Sequence, residues 1–201
     1  MSSETPYQRA LAALADGAVT TCLRVVTAWL AGRVATPEAT RAIAATVARA
    51  NAHAVALADL SLAATLSQDL ARPTPVLGLT APAGDLDRLT KAATTILGDP
   101  EPNATASTPD EQHDAVARRV ERLARNEPLD AAGGAFNEAV KRSQHVTGYR
   151  RQLEDGACEL CQWLAKRHLD PLGLGHIYPA SQPMHRHTGC RCHPIPATTG
   201  A

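Results

Sequence analysis

Cys158 and Cys161 stand two residues apart and Cys190 and Cys192 one residue apart, the second pair closing the run Met184-His185-Arg186-His187-Thr188-Gly189-Cys190-Arg191-Cys192-His193. Thiolates and imidazoles at such spacings are ligands for a borderline-soft ion. A two-residue spacer lets both sulfurs reach one metal, and a second cluster completes a tetrahedron around Zn2+. The spacing points to Cys158, Cys161, His187 and Cys190 as ligands of one structural Zn2+. Cys192 is the alternative to Cys190, since side chains two apart in extended backbone face the same way. His185 is the alternative to His187, and His168, His176 and His193 are weaker candidates.

Five cysteines are an odd count, and paired spacers beside histidines read as metal ligands before a disulfide framework. Disulfides locking the same loop, or free thiols, are the alternatives. Cys22 stands alone on a helical stretch and reads as a small buried apolar side chain. Catalytic zinc sites keep three protein ligands, a water and a nearby carboxylate. Glu154, Asp155 and Glu159 are near enough in sequence to serve, but several cysteine ligands favour a closed structural site. The glutamate-containing signature of zinc deaminases is absent, so no enzymatic activity is expected.

The chain has 201 residues, and its 20 basic and 20 acidic side chains are unevenly placed. Residues 141–201 carry 8 Lys/Arg against 4 Asp/Glu and six of the eight histidines. This weakly basic end suits phosphate or an acidic protein face. Arg150, Arg151, Arg186 and Arg191 are its candidate contacts, because a guanidinium is a rigid fork of donors; solvated surface charge is the plainer reading of each. The N-terminus lacks the pattern of a signal peptide, and no unbroken stretch approaches 18 apolar residues, so no membrane span or membrane partner is expected.

The elements that must position these residues are helical. Aromatic residues make up 3% of the chain and alanine is abundant, which predicts thin helices packed closely around a modest core. Leu11, Leu14, Ala18, Cys22, Val25 and Trp29 form the apolar stripe of a first helix, from about residue 6 to 31. Thr36-Pro37-Glu38 starts a second, to about Leu70, as a rod-like hairpin partner or with a break near Ser61. A shorter helix over 84–97 shows Leu86, Leu89, Ala93 and Ile96. Thr108-Pro109-Asp110-Glu111 restarts helix with a capping box, and Pro128 is expected to close it. Another helix runs from Leu129 to about His145, ended by Gly148. Residues 149–153 suit a short strand, the first cysteine pair leads into a helix to about His168, and the last residues read as an extended, frayed end. Trp163 is placed under the metal knot, and Trp29 in the core or the helix hairpin. The expected architecture is mainly α, an Ala-rich bundle or elongated hairpins with a small C-terminal zinc-knot region. Its divisions are 1–97, a linker at 98–107, 108–147, and 148–201.

Gly148-Tyr149-Arg150-Arg151, then Cys158-Glu-Leu-Cys161, then His187-Thr-Gly-Cys190-Arg-Cys192 resembles the C-terminal motif of the Mu F-like minor head proteins of tailed bacteriophages, the phage head morphogenesis family. The Ala-rich helices upstream are similar in texture to those of actinobacterial-phage members. The motif covers about a quarter of the chain, and an additional histidine stands at His185. The resemblance implies a non-enzymatic minor capsid protein of the virion, bound to the portal or major capsid protein and acting in head assembly and DNA packaging or delivery. A zinc module that binds packaged DNA is the alternative, and a small zinc hydrolase a more distant one.

Overall fold

Helix α1 (Pro6–Leu30) begins where Thr5 caps it: the Thr5 hydroxyl accepts from the Gln8 backbone N–H while the Gln8 side chain accepts from the Thr5 N–H. This computed structural model describes residues 5–98, 108–165, 175–187 and 190–198. The buried stripe of α1 is Leu11, Ala15, Ala18, Val19, Cys22 and Val26. By length and mean hydropathy α1 is apolar enough to cross a membrane, but that stripe packs into the protein core. Helix α2 (Thr36–Asp69) runs unbroken past Ser61, and Ala39, Ile43, Val47, Ala54 and Ala58 along it are fully buried. Alanine at these positions lets neighbouring backbones approach closely. The Trp29 indole packs beside this core and donates to the Thr36 hydroxyl at 3.0 Å, tying α1 to the start of α2.

After α2 the prolines at 73 and 75 prevent further helix, and the chain lies extended back along α2. The buried Asp59 carboxylate holds it there, accepting from the Leu77 and Leu79 backbone N–H groups at 2.9 and 3.0 Å. In α3 (Asp85–Gly98) the inward stripe is Asp85, Leu89, Ala93, Ile96 and Leu97. Asp85 takes the place expected for Leu86 because Asn51 donates to its carboxylate at 2.9 Å, and Leu86 is left 51% exposed. The expected linker lies mostly in 99–107, outside the described residues.

The Thr108 capping box is present at the start of α4 (Pro109–Arg142). Contrary to expectation, Pro128 does not end this helix. Its ring is fully buried, and packing against α1 and α2 outweighs the one backbone hydrogen bond that proline removes. The two helices expected on either side of Pro128 are one, and it stops at Ser143 rather than at Gly148.

Gly148 instead lies inside strand β1 (Val146–Gln152), the centre of a three-stranded antiparallel sheet. Its neighbours are β2 (Tyr178–Pro179) and β3 (His193–Thr198). The expected frayed end is therefore a strand over 193–198, with Gln152 opposite His193, Arg151 opposite Pro194 and Tyr149 opposite Pro196. Pro194 and Pro196 are accommodated because β3 is an edge strand, with a side that needs no donors. One apolar cluster joins Leu62 and Leu66 of α2 and Phe136 and Val140 of α4 to Tyr149, Tyr178 and Met184, which fixes the sheet on the helices.

Gly148 is required by close approach. A Cβ there would stand 2.1 Å from the Tyr178 carbonyl oxygen. Next to it, the Tyr149 ring stacks on Tyr178 with centroids 5.4 Å apart. Gly148→Ala is expected to destabilise the protein by about 3 kcal/mol, the upper range for overpacking against rigid backbone. Urea unfolding measures it, and a loss no larger than that of a surface substitution would contradict the β1–β2 contact.

Candidate metal centre

The β1–β3 ladder delivers the cysteines. The first pair follows the end of β1 and the second immediately precedes β3, so pairing Gln152 with His193 brings two distant segments to one end of the sheet. Cys158 lies just before the short helix α5 (Glu159–Ala165), and its carbonyl accepts from the Gln162 N–H at 3.0 Å. The turn of α5 places Cys161 inward beside Ala157. On the other segment, the Cys190 N–H donates to the His187 carbonyl at 3.1 Å, folding imidazole and thiol toward the same point.

Five donor atoms converge there. The His187 Nε2 is 3.1 Å from the Cys158 Sγ and 3.3 Å from the Cys161 Sγ, and the Cys161 and Cys190 sulfurs are 3.5 Å apart. They form two triads sharing Cys161: Cys158, Cys161 and His187, and Cys161, Cys190 and Cys192, each with ligand atoms within 4.8 Å of one another. Tetrahedral Zn2+ with Zn–S bonds of about 2.3 Å separates its sulfurs by about 3.8 Å. These spacings fit such an ion after outward shifts of a few tenths of an ångström. The cluster can coordinate a metal ion.

Its electrostatics favour thiolate at two of the four cysteines, Cys158 and Cys190. The Cys161 backbone N–H and the neighbouring His187 lower the pKa of the exposed Cys158 thiol. Hydrogen bonds from Cys192 and Cys161 lower Cys190 to about 4, so the other two thiols are left as donors: burial raises Cys161 to about 12, and donation to Cys190 raises Cys192 further. Cys22 is a separate case, fully buried in the helical core and raised to about 11 by burial alone.

The remaining histidines lie elsewhere. His185 is exposed, and what it contributes inward is its backbone carbonyl, which accepts from Arg151. His176 sits edge-on to the Tyr178 ring. His193 is buried against Tyr7 with ring centroids 5.1 Å apart, and burial lowers its pKa to about 4. His168 lies outside the described residues. Trp163 is not under the knot: it is 62% exposed, because two residues beyond Cys161 on a helix is the opposite face.

The arginines mostly turn inward. Arg150 donates to the Gly175 carbonyl at 3.3 Å, and Arg151 is buried against Cys161. Arg186 donates to the Leu129 carbonyl of α4 and, at 2.8 Å, to the Cys190 carbonyl, so it bolts the knot to the helices. Arg191 is 44% exposed, and its backbone N–H donates to Glu154 at 2.9 Å. Two partners were not legible as site residues, Tyr7 and Gly133, and Glu154, considered as a carboxylate beside the metal, instead holds the Arg191 backbone. Gly133 could have been suspected from the Gly133-Gly134 pair inside a helical pattern.

The chain matches no family model, no curated protein sequence and no solved structure.

Gly133 and Gly134 make a controlled pair. Alanine in either position gains about 0.5–1 kcal/mol of helix propensity. Nothing stands within 4 Å of a Cβ at Gly134, whereas one at Gly133 would lie 2.8 Å from the Arg186 guanidinium. Gly134→Ala should raise the melting temperature, and Gly133→Ala should lower it and speed amide exchange in residues 186–193. Equal stabilisation by both would dismiss the Arg186 bolt.

Proposed function

We propose that this chain is a non-enzymatic minor head protein of a tailed bacteriophage, in which the Cys/His cluster holds one structural Zn2+. The observation that carries the reading is the convergence of Cys158, Cys161, His187, Cys190 and Cys192 at the end of the β1–β3 ladder. Four of these five donors would close a tetrahedron, with Cys161 in the set whether Cys190 or Cys192 completes it. The Gly-Tyr-Arg-Arg and cysteine segments that resemble the head morphogenesis family also have physical work in this fold. Gly148 admits β2, Tyr149 stacks on Tyr178, and Arg150 and Arg151 anchor the loops around the knot. Glu154 is engaged by the Arg191 backbone rather than standing free as a base, which supports a closed site. In this reading the knot stiffens the C-terminal sheet, and the helical body docks on the portal or major capsid protein inside the assembling head.

Elemental analysis of protein purified without chelator should give about one zinc per chain. His187→Ala should lose it and His185→Ala should keep it; intact thiols with no bound metal would defeat the zinc assignment. The assembly role is tested separately by co-expression with the portal and major capsid proteins of the same genome. Heads that form normally and never contain the chain would remove it.

The second reading is a DNA-binding zinc module. The metal cluster suits it equally, and the exposed Arg191 beside the knot is the observation that favours it. Its test is a band shift at low salt that weakens with added salt and on Arg191→Ala. Arg151 is unsuitable for that test, since changing a buried residue would disturb the knot itself. No shift at low salt excludes this module.

A further inference from the structure

Among the described lysines and arginines, Arg151 alone is buried, at 3% exposure. A buried cation is costly unless an anion compensates it. Yet among the described residues no carboxylate lies within ion-pair distance of Arg151. What surrounds the guanidinium is the metal cluster. Its Nη1 donates to the Cys161 Sγ at 3.6 Å, and its Nη2 donates to the His185 carbonyl, two residues before His187. Cys161 is the sulfur common to both triads, so the N–H···S contact falls on a ligand whether Cys190 or Cys192 completes the four.

We propose that Arg151 is the counter-ion of the metal–thiolate centre, its positive charge balancing the net negative charge of the coordinated ion. The inference rests on the zinc reading above. Zn2+ with three thiolates and an imidazole carries one net negative charge, and with four thiolates two. Either centre needs a nearby cation in a dry environment, and Arg151 needs an anion. Arg186 cannot fill this place equally well, because its charge is shared with Asp130 at 3.8 Å. Arg151 is thus a positioning residue. It fixes the Cys161 sulfur and the segment leading to His187 while lowering the electrostatic cost of collecting thiolates.

The dependence is mutual, and this gives a differential test. Without metal, Arg151 has no coordinated centre to balance, and its contact to the Cys161 sulfur contributes less. Arg151→Met should therefore destabilise the zinc-loaded protein more than the metal-free protein. Zinc affinity, measured by competition with a chromophoric chelator, should fall about 10- to 100-fold, as for other outer-shell partners of metal ligands. Arg151→Lys, which restores charge but not the fork of donors, should recover part of the loss. In Co2+-loaded protein the thiolate-to-metal charge-transfer bands should shift in Arg151→Met. Equal destabilisation of the metal-free and loaded forms, with affinity and Co2+ bands unchanged, would assign Arg151 a packing role and overturn the proposal. A parent protein that binds neither zinc nor Co2+ would instead overturn the zinc reading on which it rests.

Discussion

The antiparallel pairing of β1 with β3 is the constraint from which the rest of the C-terminal structure follows. It joins residues some forty positions apart and brings both cysteine segments to one end of the sheet. Loop closure over such a length costs chain entropy before any contact rewards it. The ladder is short and its outer strand contains two prolines, so backbone hydrogen bonds alone are a weak closure. A metal held by thiols from both sides of the same closure would add stability where the ladder ends. The apolar cluster around Tyr149, Tyr178 and Met184 supports the other end through α2 and α4.

Arginine carries much of the connection between knot and helices. In a chain with so few aromatic residues, long side chains with several donors replace bulk as the means of fixing one layer on another. Arg186 lies across the backbone of α4 where Gly133 leaves space, and it reaches carbonyls on both α4 and the cysteine loop. Tyr7 closes the same region from α1 by packing on His193. The basic character of this end is therefore partly internal. A count of positive residues along the sequence overstated the charge available to an outside partner.

The helical body was readable because its signals are local: the stripe of α1, the Thr108 capping box and the prolines after α2 each act within a few residues. The cysteine and histidine spacing was readable for the same reason, and the structure brings those residues into one cluster. What was not readable depends on partners distant in sequence. Pro128 ends helices in isolation, but here its ring is buried among helices whose packing keeps α4 intact. The prolines at 194 and 196 suggested a frayed end because nothing local reveals that β1 lies alongside. Leu86 lost its inward place to Asp85 through a hydrogen bond from Asn51, 34 residues away. Arginine burial is equally invisible to spacing, since it depends on which carbonyls and sulfurs the fold assembles.

These same features bear on what the fold is suited to do. The cysteine cluster packs with Ala157 and Leu153, and Glu154 is occupied in holding the cysteine loop. Such a setting resists deformation more than it invites a substrate. Meanwhile Leu160, Trp163 and Ile177 remain exposed near the knot, as do Leu60 on α2 and Val76 and Leu77 on the extended segment along it. These apolar side chains stand apart from the polar bolts that fix the C-terminal end.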